Sequence, residues 1–254
     1  MTAKIISIIN QKGGVGKTTT AVNLSAGLLH IGKRVLLIDT DPQANATINL
    51  LPKGYEPEFT IKDVFYKKKL DQAICRSVVD GLDIVPSMIS FAAVESELTS
   101  KIGRELILKK ALNDKIIQKY DFIIIDTPPA LGMISINTLC AADEVIIPIH
   151  EFYALEGVLQ LMDVISQVRE DLNPGLKVSA VLLTMYDERT NLAREIKEKM
   201  QEVFGELLLN TTIPRNIKLA EAPIYKQTIF DYASDSTGAK AYMDLSNELM
   251  ERWR

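Results

Sequence analysis

A glycine-rich segment near the start of the chain has the residue types that hold phosphate. Residues 12–19 read Lys-Gly-Gly-Val-Gly-Lys-Thr-Thr and lie between the apolar run 5–9 and a helical pattern over residues 21–29. Glycines let the backbone bring several N–H groups close to an oxyanion, and the positive end of the following helix adds to the attraction. This order of strand, loop and helix predicts a nucleotide phosphate site, and the alternative is a glycine-rich turn that binds nothing.

Two side chains of this loop have defined chemical roles in the prediction. Lys17 would contact the β- and γ-phosphates, and the hydroxyl of Thr18 would hold Mg²⁺. The loop departs from the usual G-x-x-x-x-G-K-[ST] pattern, because Gln11 stands at the first glycine and is followed by an additional lysine, Lys12. A lysine so close to the glycine turn could point at a phosphate across a two-fold axis. The residues assigned to the nucleotide here are Lys12, Gly13, Gly14, Val15, Gly16, Lys17, Thr18 and Thr19.

Aspartates follow two apolar strand patterns further along the chain. Asp39 and Asp41 come directly after residues 35–38, and Asp126 ends another such run. Strands that are apolar throughout are buried on both faces, and the site of an open α/β sheet lies at the carboxyl ends of its strands. These carboxylates are therefore expected beside the phosphate loop, with Asp126 within one water of the Mg²⁺. The alternative role for Asp126 is that of a helix N-cap.

Charge and cysteine content exclude several classes of protein. The net charge of the 254 residues is −4, so the chain as a whole is not a basic nucleic-acid binder, and DNA binding would need a local basic patch. Cys75 and Cys140 lie far apart without a C-x-x-C pattern. This argues against a disulfide framework or an iron–sulfur site and predicts a cytoplasmic protein. With no run of about 18 apolar residues, we expect no membrane span.

The alternation of strands and helices predicts the fold. Apolar strand patterns recur at residues 5–9, 35–38, 82–86, 122–125, 144–149 and 177–185, with helical patterns between and after them. This order predicts an α/β fold with a single doubly wound, mostly parallel sheet and helices on both faces, in one domain over residues 1–254.

Two helical patterns carry specific expectations. A long one spans residues 106–117, with leucines and isoleucines at helical spacing. The last helix is expected from about Gly238, and its apolar positions share one face. A helix that packs on the core explains this face better than a membrane-binding tail, because acidic residues are interspersed along it. The apolar positions are Tyr242, Leu245, Leu249 and Trp253.

Five short motifs then identify a family. They occupy residues 10–20, 39–45, 125–129, 154–157 (Ala-Leu-Glu-Gly) and 213–216 (Ile-Pro-Arg-Asn). With these motifs, in this order, the chain resembles the ParA/Soj chromosome and plasmid partition ATPases over nearly its whole length. Its loop is similar to the deviant Walker A loop of the ParA/MinD superfamily. The resemblance implies a P-loop NTPase fold and an ATPase that uses ATP and Mg²⁺.

The resemblance also implies roles for single residues of the ATP site. Lys12 matches the signature lysine that reaches the ATP of the partner subunit, so ATP would hold together a homodimer. Asp41 matches the residue that orients or activates the attacking water. Pro214 and Asn216 match the segment that packs against adenine. The implied catalytic set is Lys12, Lys17 and Asp41, and the implied metal set is Thr18, Asp39 and Asp126.

Three basic residues are implied in nonspecific binding of double-stranded DNA. Arg189 and Lys218 match basic positions of the family, and Arg215 of the Ile-Pro-Arg-Asn motif is included with them. Charge alone leaves open that these side chains are only solvated. Dimerisation would double the patch and strengthen DNA binding steeply. The resemblance further implies a ParB/Spo0J-type centromere-binding protein that stimulates slow hydrolysis, a nucleoid-associated location and no stable membrane association.

The sequence departs from the family pattern in places. Residues 149–153 are one residue shorter than usual, and His150 stands where glutamine is common, so the dimer contact there is expected to differ. We also expect the short form without an N-terminal helix-turn-helix. A MinD-like membrane-cycling regulator is the main alternative and would need a basic amphipathic tail. A nitrogenase-reductase-like electron carrier would need paired cluster cysteines, whose spacing Cys75 and Cys140 lack.

Overall fold

A single sheet runs through the described part of the chain. In the computed structural model of this protein, residues 2–67, 69–150 and 155–253 are described. The strands are β1 (Lys4–Ile8), β2 (Val35–Asp39), β3 (Cys75–Arg76), β4 (Leu82–Val85), β5 (Phe122–Asp126), β6 (Glu144–Ile149) and β7 (Lys177–Leu183). Their order in the sheet is β3-β4-β2-β5-β1-β6-β7. Neighbours are parallel except at the edge, where β3 runs antiparallel to β4.

Helices connect the strands and cover the sheet. The first half of the chain has α1 (Lys17–His30), α2 (Asn45–Leu50), α3 (Ile61–Phe65), α4 (Val94–Glu97), α5 (Ile107–Ala111) and α6 (Asp114–Ile117). The second half has α7 (Met133–Ala141), α8 (Leu155–Asp171), α9 (Asn191–Phe204), α10 (Ile217–Glu221), α11 (Ile229–Ala233) and α12 (Thr237–Arg252).

The sheet separates two apolar cores. Ile6 of β1 belongs to the core that also contains Leu24 of α1 and Tyr242 of α12. Ile5 belongs to the opposite core, together with Leu139 of α7. Successive side chains of a strand point to opposite faces, so a central strand that is apolar throughout can serve both cores. The prediction of a doubly wound, mostly parallel sheet with helices on both faces is confirmed.

The prediction of one long helix over residues 106–117 is wrong. The chain there forms a 3₁₀ turn at Arg104–Leu106, then the short helices α5 and α6. Asn113 separates the two helices, since its side-chain oxygen accepts a hydrogen bond from the amide of Lys115 at 3.1 Å. Such local side-chain bonds compete with continuation of a helix. Leu108, Leu112 and Ile116 are nevertheless buried, so the apolar spacing indicated burial correctly.

Two strand details also differ from the sequence prediction. Strand β7 ends at Leu183, before the predicted end at Met185. Met185 has φ +51°, which lies in the left-handed region and outside the range of a β-strand. Strand β3 is only two residues long and was not predicted, because so short a segment has no detectable alternation.

The last helix packs on the core, as predicted. In α12, Tyr242, Leu245 and Leu249 are buried in the same core as α1. The ring of Trp253 lies 5.3 Å from that of Phe122, measured between centroids. Within the described ranges, no helix is both long and apolar enough to cross a bilayer.

The parallel register brings the two predicted acidic strand ends to the same level. Asp126 on β5 is the register partner of Ile8 on β1 and of Asp39 on β2. The chain that leaves β1 after Ile8 is the glycine-rich loop. The sheet therefore holds this loop and both aspartates together at its carboxyl edge, as expected for an open α/β sheet.

Candidate nucleotide site

The loop between β1 and α1 surrounds a cavity of about 320 Å³. Gly14 and Gly16 have φ values of +73° and +84°, a region that residues with side chains rarely adopt. Helix α1 begins immediately afterwards, and its first-turn amides have no partner within the helix. The loop is therefore built to present N–H groups to an anion. Its cavity is lined by Gly13, Gly14, Gly16, Lys17, Thr18, Thr19, Asp41, Gln43, Asn45, Pro129 and Met185.

The ammonium group of Lys17 is held inside the loop. Lys17 is 7% exposed, and its Nζ donates to the carbonyl of Lys12 at 3.0 Å. Burial lowers the pKa of Lys17, while the charges of Asp126 and Asp41 act to raise it. A buried cation beside a concave row of amides provides a binding position for phosphate oxygens.

Asp126 is the least satisfied polar group of the site. It is fully buried, and neither carboxylate oxygen has a hydrogen-bond partner among the described residues. Burial raises the pKa of Asp126 well above its usual value, and the neighbouring Asp39 adds to the increase. The Thr18 hydroxyl lowers this pKa but does not reach hydrogen-bond geometry. Two unpartnered oxygens beside a threonine hydroxyl fit a hydrated Mg²⁺, whose preferred ligands are oxygens and water.

Asp39, by contrast, accepts several hydrogen bonds. One oxygen accepts from the amide of Asp41 at 3.0 Å, and the other accepts from the amide and hydroxyl of Thr47 at 2.9 and 2.7 Å. Burial raises the pKa of Asp39 to about 6, although these hydrogen bonds act to lower it. Asp39 thus shapes the turn that presents Asp41 to the loop cavity. The helix that follows β5 begins at Met133, so Asp126 is not a helix N-cap.

A second, mostly apolar cavity of about 430 Å³ adjoins the loop cavity. The two share Gly16, Thr19 and Met185 in their linings, so they form one continuous groove. Met185 was not among the predicted site residues. Its position follows from the left-handed turn after β7, for which the sequence contains no local signal. The other residues lining the second cavity are Thr184, Ile213, Pro214, Arg215, Asn216, Ile217, Leu219, Ala220 and Tyr242.

Pro214 and Asn216, which match the adenine-packing segment of the family, line this second cavity. Pro214 forms a parallel bridge with Tyr186. The side-chain oxygen of Asn216 accepts from the amide of Lys218 and caps α10, and its amide nitrogen donates to the Thr237 hydroxyl, both at 2.8 Å. The Asn216 side chain therefore holds the wall of the cavity in place.

Comparison with known proteins agrees with this geometry. Residues 3–178 match the family described as AAA domain. The chain is 46% identical over 248 residues to the sporulation initiation inhibitor protein Soj of Bacillus subtilis, covering 97% of this chain and 98% of that protein. The chain belongs to the Soj/ParA family of partition ATPases. The resemblance stated from the sequence motifs is thereby confirmed, and the protein is an ATPase.

The chain is also similar to two further proteins. The chromosome-partitioning ATPase Soj of Thermus thermophilus is 42% identical over 248 residues, covering 97% of this chain and 95% of that protein. Cobyrinic acid a,c-diamide synthase from Mycobacterium smegmatis, solved with a bound ATP analog and magnesium, superposes with a TM-score of 0.85 and 34% identity. The match covers 99% of this chain and 96% of that chain.

In this Soj/ParA family protein, the three residues predicted to bind DNA lie near the second cavity. Arg189 and Arg215 line a cleft of about 650 Å³. The guanidinium of Arg189 donates two hydrogen bonds of 2.7 Å to Asp187. Lys218 on α10 lies outside that cleft lining and forms an ion pair of 2.9 Å with Glu221. Two of the three cations are thus neutralised by neighbouring carboxylates on the same chain.

The segment that departs from the Soj/ParA pattern is described only in part. Residues 151–154 lie outside the described ranges, so the expected change in the dimer contact stays a prediction. Strand β6 ends at Ile149, and the Nδ1 atom of His150 lies 3.2 Å from the carbonyl oxygen of Thr184. The Thr184 hydroxyl donates to the carbonyl of Val15 in the loop at 2.9 Å. His150 is thereby joined through Thr184 to the phosphate loop.

Proposed function

We propose that this partition ATPase, acting as one domain over residues 1–254, binds ATP with Mg²⁺ in the continuous groove. The observation that carries the proposal is the buried, unpartnered carboxylate of Asp126 beside Thr18 and Lys17. Phosphates in the loop cavity would meet Lys17 and the amides of α1, and adenine would lie in the apolar cavity with Pro214. The ATP analog and magnesium bound in the M. smegmatis synthase support this assignment.

Each residue of the loop cavity then has a task in hydrolysis. Lys17 would bind the β- and γ-phosphates, and the Thr18 hydroxyl and Asp126 would hold Mg²⁺, Asp126 through water. Mg²⁺, when bound, would neutralise charge that develops on the phosphate oxygens. Asp39 holds the turn after β2 and would support the water shell of the metal. Asp41, on that turn, would orient the attacking water.

Lys12 would act on the nucleotide of a second copy of the chain. Its backbone amide is bound by Asn10 at 2.9 Å and its carbonyl by Lys17, while the residue is exposed at the outer side of the loop. Two copies facing each other would bring like charges together and desolvate them, which is unfavourable without ATP. ATP phosphates at the interface would convert this repulsion into charge-assisted hydrogen bonds. ATP therefore drives homodimer formation.

Sedimentation velocity with and without ATP tests the dimer. The parent protein should double in mass when ATP and Mg²⁺ are added. Lys12→Ala should bind ATP but stay monomeric, whereas Lys17→Ala should lose ATP binding itself. A parent whose mass does not change with ATP, or a Lys12→Ala variant that dimerises like the parent, contradicts the proposal.

Binding of double-stranded DNA without base specificity is the proposed output of the dimer. Each subunit contributes Arg189, Arg215 and Lys218, and two copies of the patch give the number of phosphate contacts that one acidic chain lacks. A ParB/Spo0J-type protein then stimulates the slow hydrolysis and releases the dimer from the nucleoid. A gel shift with two unrelated DNA duplexes, with ATP and with ADP, tests this step. Equal shifts with both nucleotides would contradict it.

A further inference from the structure

Gln11 is a residue of the loop motif to which the proposed function assigns no role. It stands where the usual phosphate loop has its first glycine. Its side-chain amide donates to the carbonyl of Gly157 at 3.0 Å and to Oε1 of Gln160 at 3.2 Å. Both acceptors lie in the first turns of α8, far along the chain from the loop. A glycine at position 11 could make neither bond.

Gly157 makes the room that this contact requires. A Cβ atom at position 157 would lie 2.6 Å from Nε2 of Gln11, closer than real Cβ contacts. The obstructed atom is the end of a flexible side chain, so an alanine there would displace the amide without moving the backbone. The glycine of the Ala-Leu-Glu-Gly motif and the glutamine of the loop motif therefore form one contact, although 146 positions separate them.

Lys12, the residue that follows Gln11, is held by hydrogen bonds to its backbone. Asn10 donates to the carbonyl of Pro148 in β6 at 2.7 Å, and its side-chain oxygen accepts from the amide of Lys12 at 2.9 Å. Lys17 binds the carbonyl of Lys12 at 3.0 Å. These two bonds hold the amide and the carbonyl of Lys12 itself. Gln11 directly precedes Lys12, and its side-chain bonds attach this part of the chain to α8 as well.

We propose that Gln11 is a positioning residue that orients Lys12 through its bond to the first turn of α8. This proposal depends on the proposed function, in which Lys12 acts across the dimer. Gln11 does not line either cavity of the groove, so its effect falls on subunit pairing rather than on nucleotide binding within one subunit. The bond also couples the start of α8 to the phosphate loop.

The test is a cycle of Gln11→Ala, Gly157→Ala and the double variant, compared with the parent protein. Sedimentation with a slowly hydrolysed ATP analogue gives the dimer dissociation constant, and calorimetry with ADP gives nucleotide affinity of the monomer. Loss of the Gln11 side-chain contact with α8 should weaken dimerisation about three- to tenfold in each single variant. The double variant should be no weaker than either single one, because both remove the same contact. Affinity for ADP should stay within about twofold of the parent.

Two controls separate positioning from a general loss of structure. Alanine is a better helix former than glycine, so Gly157→Ala should not lower thermal stability through α8 itself. Lys12→Ala, which stays monomeric with ATP, sets the lower limit, and Gln11→Ala should keep part of the dimerisation that Lys12→Ala loses. If Gln11→Ala weakens ADP binding as much as dimerisation, or abolishes dimerisation as Lys12→Ala does, the positioning role is wrong.

The outcomes also distinguish this inference from the function on which it depends. If the parent dimerises with ATP and Gln11→Ala dimerises equally well, only the role of Gln11 is refuted. If the parent does not dimerise, the proposed function fails and the role of Gln11 fails with it.

Discussion

Two buried aspartates at the carboxyl edge of the sheet have opposite surroundings. Asp39 accepts three hydrogen bonds from Asp41 and Thr47, whereas Asp126 accepts none among the described residues. A buried carboxylate without partners is unfavourable in the ligand-free fold and is suited to a cation that arrives with the nucleotide. Asp39 therefore stabilises the turn after β2, whereas the oxygens of Asp126 are suited to bind a ligand.

Exchange of each aspartate for asparagine should separate these roles. Asp126→Asn should raise the free energy of unfolding of the ligand-free protein by about 1 kcal/mol, and with it the melting temperature, because it replaces a buried carboxylate that has no hydrogen-bond partner among the described residues. It should also abolish ATP hydrolysis. Asp39→Asn should lower stability by about 1–3 kcal/mol, since one side-chain atom changes from acceptor to donor. Calorimetric melting and a phosphate-release assay measure both. A lower melting temperature for ligand-free Asp126→Asn would contradict this assignment.

The surroundings of Glu248 predict that stability depends on pH. Burial acts to raise its pKa, but hydrogen bonds from the amides of Thr211 and Asn210 and the charge of Arg252 outweigh this and lower the pKa below its usual 4.5. A carboxyl group whose pKa is lower in the folded than in the unfolded protein stabilises the fold at pH values above its unfolded-state pKa. This stabilisation is lost as the pH falls through the folded-state pKa. Glu248→Gln should therefore lower the free energy of unfolding by about 1–2 kcal/mol at pH 7, and the difference from the parent should shrink as the pH falls from the usual pKa of 4.5 through the lower folded pKa.

Urea unfolding at a series of pH values measures the effect of Glu248→Gln. The exposed neighbour Glu251 on the same helix supplies the control, Glu251→Gln. The control should show the parent's pH dependence. A difference between Glu248→Gln and the parent that stays constant down to pH 3 would refute the ionic contribution.

At the scale of elements, the contact between helices α1 and α12 lies beside the nucleotide site. Helix α1, which starts at Lys17, packs against α12, and Gly27 marks the point of close approach. A Cβ atom there would overlap the hydroxyl of Ser246 and lie 3.3 Å from the carbonyl of Tyr242. Tyr242 also lines the apolar cavity. The spacing of these two helices therefore bears on both the core and the nucleotide groove.

Gly27→Ala should destabilise the protein by about 1–3 kcal/mol, because overpacking exceeds the gain in helix propensity. Chemical denaturation measures the change. Adding Ser246→Ala removes the overlapping hydroxyl and should recover part of the loss. A Gly27→Ala protein that is more stable than the parent would show that the helices separate freely at this position.

At the scale of the whole molecule, charge must be concentrated before an acidic chain can bind DNA. The net charge is −4, and Arg189 is held by Asp187 on its own chain. The hydrogen bond from Arg189 lowers the pKa of Asp187 to about 2, so the pair stays ionised at neutral pH. In the proposed DNA complex, the phosphates would compete with Asp187 for Arg189. Dimerisation would increase the number of phosphate contacts and so favour DNA binding.

Substitutions on the two sides of this ion pair should have opposite effects on DNA binding. Arg189→Ala should weaken ATP-dependent binding and make the slope of log K against log salt less steep by about 2, one phosphate for each subunit. Asp187→Asn should strengthen binding, because the arginine no longer has a competing carboxylate. Fluorescence anisotropy over a salt series measures both. An unchanged slope for Arg189→Ala would show that Arg189 does not contact DNA phosphates.

The sequence by itself determined the parts of this protein that local chemistry specifies. Buried strands are apolar throughout, and a parallel sheet brings their carboxyl ends to one edge. For this reason the glycine loop, Asp39, Asp41 and Asp126 could be expected at one site before any coordinates. The prediction of a long helix over residues 106–117 was wrong. The spacing of apolar residues indicates which side chains are buried, but it does not show that the side chain of Asn113 divides the helix.

Only the tertiary structure decided which distant residues complete the site. Met185 enters the groove through a left-handed turn, and Gln11 reaches Gly157 through a gap that only a glycine leaves. Asp39 and Asp126 look alike in sequence, yet their hydrogen bonding differs completely. Such differences arise from contacts between segments that are far apart in the chain. The type and spacing of residues within one segment do not predict these contacts.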